Sequence, residues 1–196
     1  MPRTRTISDE KILEATIQLV SDQGVDKLTF ASLGEQVELS PSTLVQRFGT
    51  KQRLLSLTTK HCLQSMGAII ETSQNESHSP LQAAYAAFAS MAQAVTGVRE
   101  FANGQVFFYL ALTDPDTYAI LQTSMRQACE KTQQLLDEAV VAHELKPCDT
   151  TALALTLQTT YEGAITTWLA YQEGSVEEWV TKRLTAVVEP YKTNEI

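Results

Sequence analysis

Four side chains between residues 29 and 48 have the chemistry to read or grip a nucleic acid: Ser42, Thr43, Gln46 and Arg47. An amide such as Gln46 can pair bidentately with adenine and a guanidinium such as Arg47 with guanine, while hydroxyls contact phosphates or bases. The four share the outer face of one helix if Leu44 and Phe48 turn inward. Thr29 and Ser40 each stand where a helix N-cap is expected, and a capped helix start also offers free N–H groups to a phosphate. An exposed polar face with no partner is the alternative for the whole set.

Two short helices and a tight turn are needed to hold such a face outward. Thr29 caps the first, which carries Leu33 and Val37; Ser40 caps the second, with Pro41 in the favoured first helical position. Leu33, Val37, Leu39, Leu44 and Phe48 are spaced to build a shared small core, the form of a helix-turn-helix whose second helix fits a major groove. Ahead of it, Ser8 with Asp9 and Glu10 opens a helix with Ile12, Ala15, Leu19 and Val20 on one side, ended by Gly24. Behind it, a helix from 51 to about 73 carries Leu55, Cys62, Met66, Ile69 and Ile70. Further helices are predicted over 80 to about 95, 97 to about 112, 115 to 145, 150 to about 171, and from 175 onward, where Ser175 and Glu178 make a capping-box pattern. With only 8 Gly and 6 Pro, too few for the frequent turns of a sandwich or barrel, the prediction is an all-α fold of about nine helices.

The run 29–48, then Gly49-Thr50-Lys51 and Leu54-Leu55, preceded by the capped helix ending at Gly24, resembles the TetR family of transcriptional regulators. The similarity is strong over residues 8 to 55 and architectural beyond. It implies an N-terminal helix-turn-helix DNA-binding domain (1–55) and a C-terminal helical effector-binding and dimerisation domain (56–196). It also implies a homodimer that holds operator DNA and releases it when a small molecule enters the body. Lys51 matches the family position at the start of the connecting helix, where a cation faces phosphate. Three departures stand out: Glu38 where the family has a turn glycine, Val45 in place of a tyrosine, and Gly34 in place of alanine. A non-Gly residue at positive φ costs about 1 kcal/mol, the tyrosine hydroxyl is a lost phosphate contact, and glycine inside a helix is a mild penalty.

Charge first argues against nucleic acid, because 15 Lys and Arg stand against 23 Asp and Glu, a net charge of −8. Its distribution reverses the argument: residues 1–60 hold 8 basic and 7 acidic side chains, and residues 61–196 hold 7 and 16. A nearly neutral head on an acidic body follows, with Arg3 and Arg5 on a short arm ahead of the first helix. A palindromic or near-palindromic operator suits paired heads, whose half-sites lie roughly 34 to 36 Å apart or a multiple of it.

Aromatics concentrate in the body, which holds all six Tyr, both Trp and four of the six Phe. Such groups line ligand cavities, and the polar residues embedded among them orient the ligand. Gln105, Phe108, Tyr109, Gln158, Tyr161 and Glu162 are the ligand-binding candidates, with ordinary core as the alternative. A small apolar or aromatic effector is expected. Val180, Leu184, Val187 and Tyr191 on the last helix, and Leu157, Tyr161, Ala164, Ile165 and Trp168 on the one before, are stripes expected to pair across a two-fold axis.

No other chemistry is legible. His61, His78 and His143 lack metal-ligand spacing, and there is neither a phosphate-cradling glycine loop nor a nucleophile elbow. Neither an enzymatic activity, a cofactor nor a metal is expected. Three widely spaced cysteines (Cys62, Cys129, Cys148), an N-terminus without an apolar core and the lack of any span of roughly 18 apolar residues predict a cytoplasmic protein with no membrane partner. Two alternatives stay open, a helical interaction protein with a degraded helix-turn-helix and, more weakly, a small helical enzyme.

Overall fold

A computed structural model describes residues 7–77 and 79–193, without the side chains of residues 66–68, 71 and 74–76. Arg3, Arg5, His78 and the Met66 side chain therefore lie outside the described residues. Among those described, the chain forms nine α-helices: α1 (Asp9–Gln23), α2 (Phe30–Val37), α3 (Pro41–Phe48), α4 (Lys51–Glu76), α5 (Pro80–Gln93), α6 (Val98–Thr113), α7 (Pro115–Val141), α8 (Thr150–Tyr171) and α9 (Val176–Val188). Two short 3-10 turns, Val25–Lys27 and Glu189–Tyr191, complete the order. No strand occurs among the described residues, and the all-α expectation holds. None of the described helices is long and apolar enough to cross a membrane.

Caps decide where the helices begin. The hydroxyls of Ser8, Ser40 and Ser79 and the carboxylate of Asp149 accept backbone N–H groups of their first turns. Ser175 and Glu178 form the expected capping box, and Thr29 with Ser32 forms a second. One end is misplaced in the sequence reading. The helix expected to reach Leu145 stops at Val141, because His143 takes a left-handed conformation (φ 57°) and the N–H groups of Glu144 and Leu145 turn back to the Ala139 carbonyl.

Packing divides the chain into two compact units, neither of them one continuous stretch. The first joins Met1–Gln64 to Gly97–Leu121, so α6 belongs with the helix-turn-helix. Its core is built from Ile12, Leu19, Val20, Leu28, Leu33, Leu44, Phe48, Leu54 and, from α6, Phe107. Asn103 on α6 donates its side-chain amide to the Ser21 carbonyl of α1 at 2.9 Å, which adds a directional tie to that apolar contact.

The second unit joins Ser65–Thr96 to Gln122–Ile196. Ile70, Ala83, Ala84, Ala87 and Leu135 form one of its apolar clusters, and α9 packs against both α5 and α8. Val180 and Leu184 of α9, with Leu157, Ala164 and Ile165 of α8, are buried inside this unit. These core members of the two stripes are buried within one chain, whereas Tyr161, Trp168 and Val187 are only half-buried and Tyr191 is exposed. The period of an apolar stripe reports burial, and burial inside a subunit has the same period as burial between subunits.

Candidate functional site

The helix-turn-helix rests on an unusual turn. Glu38 closes α2 in the left-handed region (φ 57°, ψ 38°), and its N–H returns to the Gly34 carbonyl. Leu39 N–H reaches the same carbonyl at 3.0 Å, giving the paired bonds of a helix stop that normally selects glycine at position 38. Gly34 supplies the space instead. A Cβ there would stand 2.5 Å from the Leu39 carbonyl oxygen, so the residue expected to be a mild helix penalty is required by a close backbone approach.

Beyond the turn, Ser40 caps α3 by accepting the Thr43 N–H at 3.1 Å. Its hydroxyl also lies 2.8 Å from those of Ser42 and of Thr43, gathering three hydroxyls at the helix start. Leu44 and Phe48 are buried, which turns Ser42, Val45 and Gln46 out to solvent with Thr43 half-buried beside them. Thr29 is exposed at the start of α2, its hydroxyl accepting the Ser32 N–H at 3.0 Å.

Arg47 and Lys51 are placed differently. Arg47 does not project from the recognition face. One guanidinium nitrogen donates to the Ile7 carbonyl at 2.9 Å and another to the Asp9 carboxylate in a close ion pair. Lys51 Nζ donates to the Val25 carbonyl at 2.6 Å, tying the start of α4 to the 3-10 turn before α2. Both cations thus have structural duties that the sequence pattern did not indicate. Asp9 was visible only as a first-turn acid, and a partner 38 residues away leaves no periodic signal.

In the second unit, Gln158, Tyr161 and Glu162 come together. With Ile70, Phe88, Met91, Met125, Ala128 and Thr132 they line a small, partly open cavity of about 40 Å³. The Phe88 and Tyr161 rings meet at 5.4 Å between centroids. Burial, and secondarily the Glu162 carboxylate, pushes the Tyr161 hydroxyl up to about 12, so it stays a neutral phenol. A neighbouring groove of about 360 Å³ shares Met125, Gln158 and Glu162 and adds Arg126, Cys129, Leu155 and Thr159. Gln158 Nε2 lies 3.4 Å from Met125 Sδ, at the wall the two spaces share. Met125 escaped the sequence reading, although Met125, Ala128, Thr132 and Leu135 recur at helical spacing and mark the inner face of α7.

Gln105, Phe108 and Tyr109 do not join that lining. They lie on α6 in the first unit, with Phe108 51% and Tyr109 64% exposed. A wider cleft in that unit, about 660 Å³, is bordered by Ile7, Ser8, Lys11, Ala15, Gln36, Val37 and Glu38 and has no aromatic wall. His61 and His143 take part in no group of three metal-ligating side chains among the described residues.

Comparison with known proteins gives two family matches. Residues 12–57 match the model for bacterial regulatory proteins of the tetR family, and residues 80–176 match that for the C-terminal domain of LmrA/YxaF-like transcriptional regulators. The chain belongs to the TetR family of transcriptional regulators. Its fold is similar to that of PfmR, a TetR-family regulator from Thermus thermophilus (TM-score 0.67, 16% identity, covering 91% of this chain and 97% of that one). It is also similar to KstR2, a ketosteroid transcriptional regulator of Mycobacterium tuberculosis (TM-score 0.64, 12% identity, 97% and 98% covered). A third is Bacillus subtilis FadR in complex with stearoyl-CoA (TM-score 0.64, 13% identity, 92% and 98% covered). No curated protein sequence matches the chain.

Proposed function

We propose that this TetR-family regulator is a homodimeric, non-enzymatic repressor that binds a near-palindromic operator and leaves it when a small apolar or aromatic molecule enters the body. The observation that carries the DNA reading is α3: an eight-residue helix anchored by Leu44 and Phe48, with three hydroxyls at its start and Gln46 on its open face. Ser42, Thr43 and Gln46 face bases or phosphates, Thr29 and Ser40 present helix starts to the backbone, Lys51 adds positive potential, and Arg47 turns to DNA when it leaves Asp9. The working division is a DNA-binding head over 1–55 and an effector and dimer body over 56–196.

Effector binding is assigned to the cavity of Phe88, Met91, Met125, Gln158, Tyr161 and Glu162. At about 40 Å³ it is far below the roughly 300 to 1,000 Å³ of a ligand site. Binding therefore requires the Met125–Gln158 contact to part and merge the cavity with the adjoining groove. Met125 is suited to that, being unbranched and adaptable. The apolar wall suits an acyl chain such as that of the stearoyl-CoA in complex with FadR, and KstR2 is described as a ketosteroid transcriptional regulator. Gln105, Phe108 and Tyr109 keep a secondary place in this proposal.

Dimerisation is assigned to the outward face of α8. Ala152, Leu155, Thr159, Gly163, Thr166 and Ala170 are all exposed and recur at spacings of three and four, with Leu155 59% exposed. An added Cβ at Gly163 would meet nothing within 4 Å, so the chain's own packing does not require that glycine, whereas a helix from a second copy would. The α4 helix, with residues in both compact units, is the proposed lever between effector and operator. Selection from a random DNA pool by the purified protein tests the function. An enriched near-palindrome is expected, and the absence of enrichment at low salt overturns the proposal.

A further inference from the structure

Arg47 is the only cation between residues 29 and 48, where Glu35 and Glu38 are the only anions. This one guanidinium is therefore the recognition segment's own source of attraction for phosphate. It is engaged by the Ile7 carbonyl and the Asp9 carboxylate, its side chain only 26% exposed, whereas the Asp9 side chain is 64% exposed. Asp9 does not need Arg47 for its own stability, since it sits in the first turn of α1 behind the Ser8 cap, where a negative charge suits the helix dipole. The ion pair is therefore one-sided: it neutralises the single positive charge of the recognition helix, while the start of α1 is already fixed by its own cap.

We propose that Asp9 is a built-in brake on operator binding: it competes with DNA phosphate for Arg47 and lowers the sequence-independent part of the affinity. The proposal rests on the DNA-binding reading above and adds the partner exchange at Arg47. A brake of this kind favours specificity, because generic phosphate attraction raises binding to every sequence alike. Only a docked head, with a phosphate brought close, draws the guanidinium from its carboxylate.

Asp9→Asn tests this while keeping the volume, the oxygen acceptor and the helix start. The probe is a random-sequence duplex of about 30 base pairs, titrated between about 50 and 200 mM salt, beside a duplex enriched from a random pool. Asp9→Asn is expected to tighten random-duplex binding by about tenfold at the low-salt end and to steepen the salt slope by about 2 per dimer, one contact per head. In Asp9→Asn with Arg47→Ala that gain disappears, as a double-mutant cycle requires if the two residues act on each other. Asp22→Asn, which removes the same charge elsewhere on α1, leaves random-duplex binding within about twofold. Unchanged or weaker binding by Asp9→Asn, a gain that survives Arg47→Ala, or an equal gain in Asp22→Asn overturns the brake. Failure of the unaltered protein to bind either duplex overturns the DNA-binding reading itself, and the brake falls with it.

Discussion

At the residue scale, the departures from the family pattern turn out to be coupled. Glu38 holds a left-handed conformation that disfavours a side chain, and Gly34 provides the room that lets the chain turn there. Glu38→Gly is expected to stabilise the protein by about 1 kcal/mol, read as a rise in the thermal midpoint. Gly34→Ala, which helix propensity alone would favour by about the same amount, is expected to destabilise by about 1 to 3 kcal/mol because its methyl has no space. A stable Gly34→Ala protein would show that the turn relaxes easily. Tyr161 gives a pH signature. Its hydroxyl ionises near 10 when unfolded and at about 12 when folded, so the neutral phenol favours the native state. That contribution is complete below about pH 10 and lost as pH rises toward about 12. Tyr161→Phe should lose less stability than the parent over that interval, and parallel alkaline melting curves would contradict the burial of this group.

Helices were the most legible level, for reasons carried by individual residues. Ser8, Thr29, Ser40, Ser79, Asp149 and Ser175 each start a helix where their side chains permit. Stops were harder: the end of α7 depends on His143 adopting a conformation that its residue type does not announce. The recognition face was readable because Leu44 and Phe48 fix which side of α3 is inward. The ties of Arg47 to α1 and of Lys51 to Val25 were not, since long-range pairing has no sequence period. Which candidate aromatics line a cavity was similarly opaque, because an aromatic in an apolar run reads the same whether it lines one, like Tyr161, or faces solvent, like Tyr109. At this scale Met125→Ala is the informative change. It widens the join between cavity and groove on α7 and α8, and is expected to strengthen binding of a hydrophobic fluorescent probe severalfold while lowering the thermal midpoint. A lower midpoint with unchanged probe binding would place the effector elsewhere.

For the whole molecule, assembly and charge decide function together. Val180 and Leu184 are spent inside the subunit, which leaves the exposed α8 face as the proposed dimer contact. Leu155→Asp, at a side chain largely open to solvent in the monomer, is expected to convert a dimer to a folded monomer in sedimentation and to weaken operator binding by about a hundredfold or more. An intact dimer would move the interface away from α8. On the proposed reading, an acidic body repels DNA except where the heads approach it, and sequence readout is assigned to a few neutral side chains, Gln46 foremost. The most direct measurement is therefore selection from a random DNA pool by the purified protein in parallel with Gln46→Ala. Readout by Gln46 predicts a near-palindrome with half-sites one helical turn apart or a multiple of it, and a loss of preference at one symmetric pair of positions in the variant. No enriched palindrome, or identical preferences in both proteins, would contradict it.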